Sequence, residues 1–334
     1  MKPPRLILPS DMELQGLDSR LLAKLKRQGR LACVRRGVYM EAAEWNAMGP
    51  ATQYGQQAAA FQTRSRRPPV FCHATAALVW GLWLVGNPQR IHVITESKAG
   101  GRSRDDISRH VGSLGEGVVQ CGGLLFTDKL TTTMQLITGL SFELAVAICD
   151  SSLHRPMRHK AENTFTPAGT PAGIPEPSWN NDQPQGPPLK KSELMSAAEQ
   201  LPSQAARNRA MAVIEFASGL SGSAGESLSR VRMNQLGFTT PELQRKFVLR
   251  DGSDAFVDFW FGEQCKAGEF DGRGKYLRSD WSGGTPVADR ILKEKDREDQ
   301  IRAQGVGFFR WTWAEMMNLR GFERLLRQAG IPQK

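Results

Sequence analysis

Two apolar stretches each carry a carboxylate: Phe256-Val257-Asp258-Phe259-Trp260-Phe261, and then Lys266-Ala267-Gly268-Glu269-Phe270-Asp271-Gly272. Both read as strands, and a carboxylate inside an apolar strand is costly unless it is paired or bound to a metal. Neighbouring strands bring Asp258 and Glu269 within reach of one ion. Glu226, at the start of the preceding helix, supplies a third oxygen ligand. Three acids around Mg²⁺ are what phosphodiester hydrolysis needs, since the ion activates water and neutralises developing charge. Asp271 and Lys275 are the next candidates, each able to adjust such a site. Gln300, on the following helix, is a candidate to orient water or contact phosphate. Each acid also fits a plain structural role. Ser223-Ala224-Gly225-Glu226 is a capping box, Asp258 and Glu269 fit solvent-facing strand positions, and Asp271-Gly272 fits a turn. The joint spacing carries the nuclease reading, and no single acid does.

These residues need a frame of strands and helices. The capping box opens a helix over 223–236, ended by Gly237. Strands fit 245–249, 255–261 and 266–270, followed by a charged helix over 288–304, a strand over 307–311 and a closing helix over 314–328. That order predicts an α/β sandwich. Gly225-Glu226-Ser227, Val257-Asp258-Phe259, Glu269-Phe270-Asp271-Gly272 and Phe309-Arg310-Trp311-Thr312-Trp313 together resemble the very-short-patch-repair-endonuclease-like domain of unknown function, a branch of the PD-(D/E)XK nuclease superfamily. The resemblance covers about residues 207–330. It implies a restriction-endonuclease-like fold with Glu226, Asp258 and Glu269 as metal-binding acids. Where the superfamily pattern places a lysine, two residues after Glu269, this chain has Asp271. Lys275 then offers a cation from another position, and Asp271 a further ligand as in related branches.

A second candidate surface lies near the start of the chain. Ser10-Asp11-Met12-Glu13 is a capping box, Asp18-Ser19 starts a helix that Gly29 ends, and Leu31 to Met40 reads as a hairpin turning at Arg36-Gly37. Two short helices and a basic hairpin predict a winged helix-turn-helix. Lys24, Lys26, Arg27, Arg30, Arg35 and Arg36 cluster there, a suitable surface for DNA phosphates, though a solvated basic face has the same composition. Lys26-Arg27-Gln28-Gly29-Arg30-Leu31 and Val34-Arg35-Arg36-Gly37-Val38-Tyr39 resemble the winged-helix start of AbiEi-family antitoxins. Cys72-His73-Ala74-Thr75-Ala76-Ala77-Leu78, Ile91-His92-Val93 and Thr127-Asp128-Lys129-Leu130-Thr131-Thr132-Thr133 resemble the body of such proteins. The likeness spans about residues 10–155 and implies a DNA-binding repressor of a toxin-antitoxin operon.

Charge agrees with a polyanionic partner. The 334 residues carry a net charge of +10, and residues 1–160 hold 21 Lys and Arg against 12 Asp and Glu, so the excess is mainly N-terminal. Pro167, Pro171, Pro175, Pro177, Pro184, Pro187 and Pro188 mark a linker expected to be disordered. No apolar stretch approaches the length of a membrane span or a signal peptide, which predicts a cytoplasmic protein without a membrane partner. The five cysteines are odd in number and widely separated. They support neither a disulfide framework nor a CxxC metal site, and they read as buried thiols. His73 and His92 lie in apolar runs and read as core histidines, while His154 and His159 read as surface residues.

The sequence thus predicts an α/β multi-domain chain. Its parts are a winged-helix-like DNA-binding unit over 1–45, an AbiEi-like α+β middle domain over 46–160, a disordered proline-rich linker over 161–190, and a restriction-endonuclease-like α/β sandwich over 191–334. The leading functional expectation is a Mg²⁺-dependent endonuclease acting on double-stranded DNA in bacterial defence. The alternative is a non-catalytic antitoxin or repressor with a cognate toxin as its partner.

Overall fold

The computed structural model describes residues 6–14, 20–96, 106–112, 117–155, 183–272 and 287–334. The chain is mixed α/β with three sheets and no barrel among these residues. None of their helices is long and apolar enough to cross a membrane. Contacts divide the chain into two compact units, the first formed by residues 1–139 and 158–211, the second by 140–157 and 212–334.

The first unit begins with α1 (Pro9–Leu14) and α2 (Arg20–Arg27), then the hairpin β1 (Leu31–Arg35) and β2 (Val38–Glu41). Leu21, Leu22 and Leu25 recur at helical spacing and pack with Leu31 and Tyr39, which leaves Lys24, Lys26 and Arg27 exposed on the rest of α2. The hairpin turns at Arg36-Gly37, as the spacing predicts, with Gly37 at a φ of +76° that favours glycine. Ile7 adds an isolated antiparallel bridge to this two-stranded sheet, exchanging backbone hydrogen bonds of 2.8 and 2.9 Å with Tyr39. The expected start of the second helix at Asp18-Ser19 lies outside the described residues.

After α3 (Ala42–Ala47) and α4 (Pro50–Thr63) comes a five-stranded sheet of β3 (Val70–Phe71), β4 (Ile91–Thr95), β5 (Ile107–Val111), β6 (Val118–Cys121) and β7 (Leu124–Thr127). Its order is β5-β4-β3-β7-β6, so β5 is an edge strand. Helix α5 (His73–Val79) follows β3 directly, and α6 (Lys129–Gly139) follows β7. Residues 161–182 of the expected linker lie outside the described residues, whereas 183–189 are held in place. Gln185 N–H donates to Trp80 O at 2.9 Å, and the buried Lys129 Nζ donates to Gln185 O at 2.9 Å and Pro187 O at 3.1 Å. Ordering this stretch is thus the work of backbone carbonyls, which composition does not reveal. Helices α8 (Lys191–Glu199) and the start of α9 (Gln204–Phe216) complete the unit.

The second unit takes α7 (Phe142–Leu153), the end of α9, α10 (Ala224–Gln235), β8 (Glu242–Val248), β9 (Asp254–Phe261), β10 (Lys266–Asp271), α11 (Val287–Arg302), β11 (Gly307–Thr312), α12 (Trp313–Met317) and α13 (Leu319–Gln328). Its sheet runs β11-β10-β9-β8, an antiparallel meander of β8, β9 and β10 with β11 added parallel to β10 through the α11 crossover. The expected closing helix is two helices, because Asn318 ends α12 and its side chain caps α13 by accepting from Gly321 N–H at 3.1 Å. One core cluster joins Leu228, Met233, Phe259, Phe261, Phe270 and Trp311. The other joins Ala255, Val257, Ala267, Ile301 and Val306. A buried pair fastens α7 to α10, with Arg230 donating to both Asp150 oxygens at 3.0 and 2.7 Å.

Candidate acid site and basic surface

Asp258 reaches its position through a break in strand alternation. Phe259 and Phe261 pack in the first core cluster, yet Val257 and Ala255, at the same parity, pack in the second. On β8, Leu243 and Phe247 split in the same way. Between them stands Gln244 with a left-handed φ of +53°. A regular strand keeps residues two apart on one face, so both strands change face at Gln244 and Asp258. That places the two side chains together, with Gln244 Nε2 donating to Asp258 Oδ1 at 3.3 Å and to Glu226 Oε2 at 3.3 Å.

Glu226 sits in the first turn of α10, buried. It accepts from Gly222 N–H at 2.6 Å and from Ser223 Oγ at 2.9 Å, while Ser223 Oγ accepts the Glu226 N–H. Ser223 is thus the N-cap that the sequence predicts, but in place of the Ser223 N–H of a full capping box the carboxylate takes the N–H of Gly222, one residue earlier. The same carboxylate faces Gln244, so its structural and site roles coexist. Gly225 permits the approach to β10: a Cβ there would lie 1.9 Å from the Phe270 ring. Strands β9 and β10 pair only as far as Gly268 and Phe259. Past that point the Phe270 N–H donates to Asp258 Oδ2 at 3.2 Å.

Glu269 is elsewhere. It shares the β10 face of Ala267, and two arginines hold it. Arg297 Nη2 donates to Oε1 at 2.6 Å, and Arg310 donates to Oε2 through Nε at 3.0 Å and Nη2 at 2.8 Å. Arg297 also donates to Phe256 O at 2.9 Å and pairs with Glu294, and Arg310 pairs with Glu298 at 2.7 Å. Burial works to lower both guanidinium pKa values, but the carboxylates outweigh it and raise both above the usual arginine value. The expected convergence of Glu226, Asp258 and Glu269 on one ion is therefore not what the structure brings together. Strand alternation turns Glu269 toward α11, where cations meet it.

Asp271 ends β10 opposite Thr312 and is partly exposed. Lys275 lies outside the described residues. Gln300 serves a loop instead of the acids, its Oε1 accepting Arg250 N–H at 2.8 Å.

On the basic surface, Lys24, Lys26, Arg27, Arg30 and Arg36 are exposed. Arg35 differs, for it pairs with Asp106 and lies over the Phe61 ring at 5.0 Å. It braces the hairpin and is not a free phosphate contact.

Sequence reasoning missed a third group of side chains. Among the described residues, the three-ligand cluster able to hold a metal is Cys72, His73 and His110, with ligand atoms all within 4.8 Å of one another. Burial, then His110 and His92, lower His73 to about 3, and burial, then His110 and Arg90, lower His92 to about 4, so both rings are neutral at pH 7. The signal is absent from residue spacing because β4 and β5 assemble the group across the sheet. Two other thiols, Cys33 and Cys265, are exposed and not buried as expected, since both lie at turns or solvent-facing hairpin positions.

No family model and no curated protein matches the chain.

Proposed function

We propose that this is a DNA-binding protein whose second unit is of the PD-(D/E)XK endonuclease type. The observation that carries the reading is the order α10-β8-β9-β10-α11-β11, with Glu226 and Asp258 bridged by Gln244 where β9 and β10 part. The motif resemblance and the exposed cations of α2 and the hairpin support it. Glu226 and Asp258 offer oxygen donors only, which suits a hard cation such as Mg²⁺. When bound, such an ion activates water and neutralises charge on the phosphodiester. The chain itself does the positioning. Ser223 Oγ and Gly222 N–H fix the Glu226 carboxylate, Phe270 N–H fixes Asp258, and the Gln244 amide sets the gap between them.

The test is nicking of supercoiled plasmid in Mg²⁺ or Mn²⁺. Wild type is expected to nick, while Glu226→Gln and Asp258→Asn lose nicking and keep DNA binding. Binding itself should fall steeply as salt rises, because phosphate neutralisation releases counterions. A wild-type chain that binds DNA and never nicks it defeats the catalytic reading.

One observation favours a second reading. Glu269, the acid that the nuclease pattern needs, is neutralised by Arg297 and Arg310. On this reading the second unit is a scaffold, and the protein is a repressor of the AbiEi antitoxin type with a cognate toxin. A nucleotidyltransferase-like toxin gene in the adjacent reading frame, with DNA binding but no cleavage, is the outcome that selects it.

A further inference from the structure

We propose that Cys72, His73 and His110 form a binding site for Zn²⁺ in the first unit, with His92 as the imidazole that closes the fourth position. Three elements and a turn converge to build it. Cys72 leaves β3, His73 opens α5, His92 lies in β4 and His110 in β5. In the parallel pairing of β4 and β5, His92 stands opposite Ser108 and Ile94 opposite His110, so both imidazoles project from one face of the sheet. Cys72 N–H donates to His92 O at 3.0 Å, which sets the thiol beside that face. His73 Nδ1 lies 3.2 Å from Cys72 Sγ, and His92 Nδ1 lies 2.9 Å from His110 Nε2. The His73 and His110 rings stack with centroids 3.6 Å apart.

Two features go beyond an ordinary polar core. The His73 backbone adopts a φ of +48°, a left-handed conformation that is unfavourable for an L-residue. Gln135 Oε1 accepts its N–H at 3.0 Å, and this bond holds the conformation that aims the ring at Cys72. Strain retained at such a place points to a use for the aimed side chain. The donor set is the second feature. One thiol and a set of imidazoles are the ligands that Zn²⁺ selects and Mg²⁺ does not. Tetrahedral Zn²⁺ holds its ligand atoms about 3.5 Å apart, and those of Cys72, His73 and His110 already lie within 4.8 Å of one another, with His92 Nδ1 beside His110 Nε2. Ion binding draws these side chains inward, and the thiol proton leaves to solvent as the thiolate binds. The bound ion would staple the edge strand β5 to β4 and to the start of α5, independently of any chemistry in the second unit.

The experiment uses the full chain, stripped with a chelator and titrated with Co²⁺ as an optical probe and Zn²⁺ by calorimetry. One equivalent per chain is expected, with tetrahedral cobalt bands and a thiolate-to-cobalt charge-transfer band. Cys72→Ser should remove the charge-transfer band, and His110→Gln should weaken binding at least tenfold. The double variant Cys33→Ser/Cys265→Ser, which removes the exposed thiols, should bind as wild type does. Should Cys72→Ser fail to fold, His110→Gln, on the edge strand, decides alone. No cobalt band in wild type overturns the proposal, as does unchanged affinity in His110→Gln or loss of the band in the exposed-thiol variant.

Discussion

The two units bury charge in opposite ways. In the second, buried acids meet donors aimed at them: Asp150 meets Arg230, Glu269 meets Arg297 and Arg310, and Glu226 meets Gly222 N–H, Ser223 Oγ and Gln244 Nε2. In the first, the buried Lys129 donates to two carbonyl oxygens, and burial works against charge on the Cys72 thiol and on His73 and His92 beside it. The difference teaches that an acid inside an apolar strand is not by itself a metal ligand. Pairing satisfies it equally well, and the more telling metal donors are the uncharged ones that share a pocket.

The sharpest way to break the comparison is to remove one partner of the most buried pair. Arg230→Met leaves Asp150 without its guanidinium, with Ser218 N–H, Ser221 Oγ and the Ser227 side chain among its remaining donors. The loss is expected at about 3–5 kcal/mol, because an uncompensated buried carboxylate keeps its desolvation cost. Urea unfolding with a probe on the second unit measures it. A loss below about 1 kcal/mol would mean that the pair is unimportant to the fold.

Lys129 tests the other side. Burial lowers its pKa to about 8, against about 10.4 in an unfolded chain. Between those values the unfolded state binds more protons, so stability rises with pH across that window and the benefit is lost as pH falls through 8. The full excursion is about 3 kcal/mol. It should be missing in Lys129→Met, and the difference between wild type and variant over this window isolates it from other titrations. The same variant frees Gln185 O and Pro187 O, so limited proteolysis near residues 183–189 should accelerate.

Within the second unit, Glu269 and Glu226 make an internal contrast. Glu269→Ala takes one carboxylate from two partly buried guanidinium groups, leaving Arg297 to Glu294 and Arg310 to Glu298, and is expected to cost about 2 kcal/mol. Glu226→Ala leaves the N-cap bond of Ser223 in place and takes the acceptor from Gly222 N–H, Ser223 Oγ and Gln244 Nε2, and is expected to cost about 1 kcal/mol. Reversal of that order in urea unfolding would mean that Glu226, not Glu269, is the structural acid.

How far the sequence carried this picture depends on the period of the signal. The order of helices and strands over 223–328, the Arg36-Gly37 turn and the Ser223 cap were legible, because local propensity and short-range bonding set them. Three things were not. The change of face at Gln244 and Asp258 depends on a left-handed backbone at a non-glycine residue, which no residue type announces. The arginine clamp on Glu269 joins residues 28 and 41 positions apart in the chain, and charge composition does not say which pairs meet. The grouping of Cys72, His73, His92 and His110 exists only through parallel pairing of β4 with β5. Reading His73 and His92 as core residues overstated their burial, since both are half-buried, and said nothing of what they meet there.

The smallest effect separates Arg35 from its neighbours. All six cations of the basic surface look alike in sequence, but Arg35 is engaged by Asp106 and Phe61, whereas Arg30 and Arg36 are exposed. A partly exposed pair is worth roughly 0–1 kcal/mol, so Arg35→Ala should lower stability by less than that. It should also leave the salt dependence of DNA binding nearly unchanged, because an arginine already paired releases no counterion from DNA. Arg30→Ala or Arg36→Ala should leave stability alone and reduce the slope of log K against log salt by about 1 each, since each removes one phosphate contact. Fluorescence anisotropy on a duplex of fixed sequence, repeated at several salt concentrations, measures the slopes. Equal slope losses in all three variants would place Arg35 on the DNA after all and make its bond to Asp106 a feature of the unbound protein only.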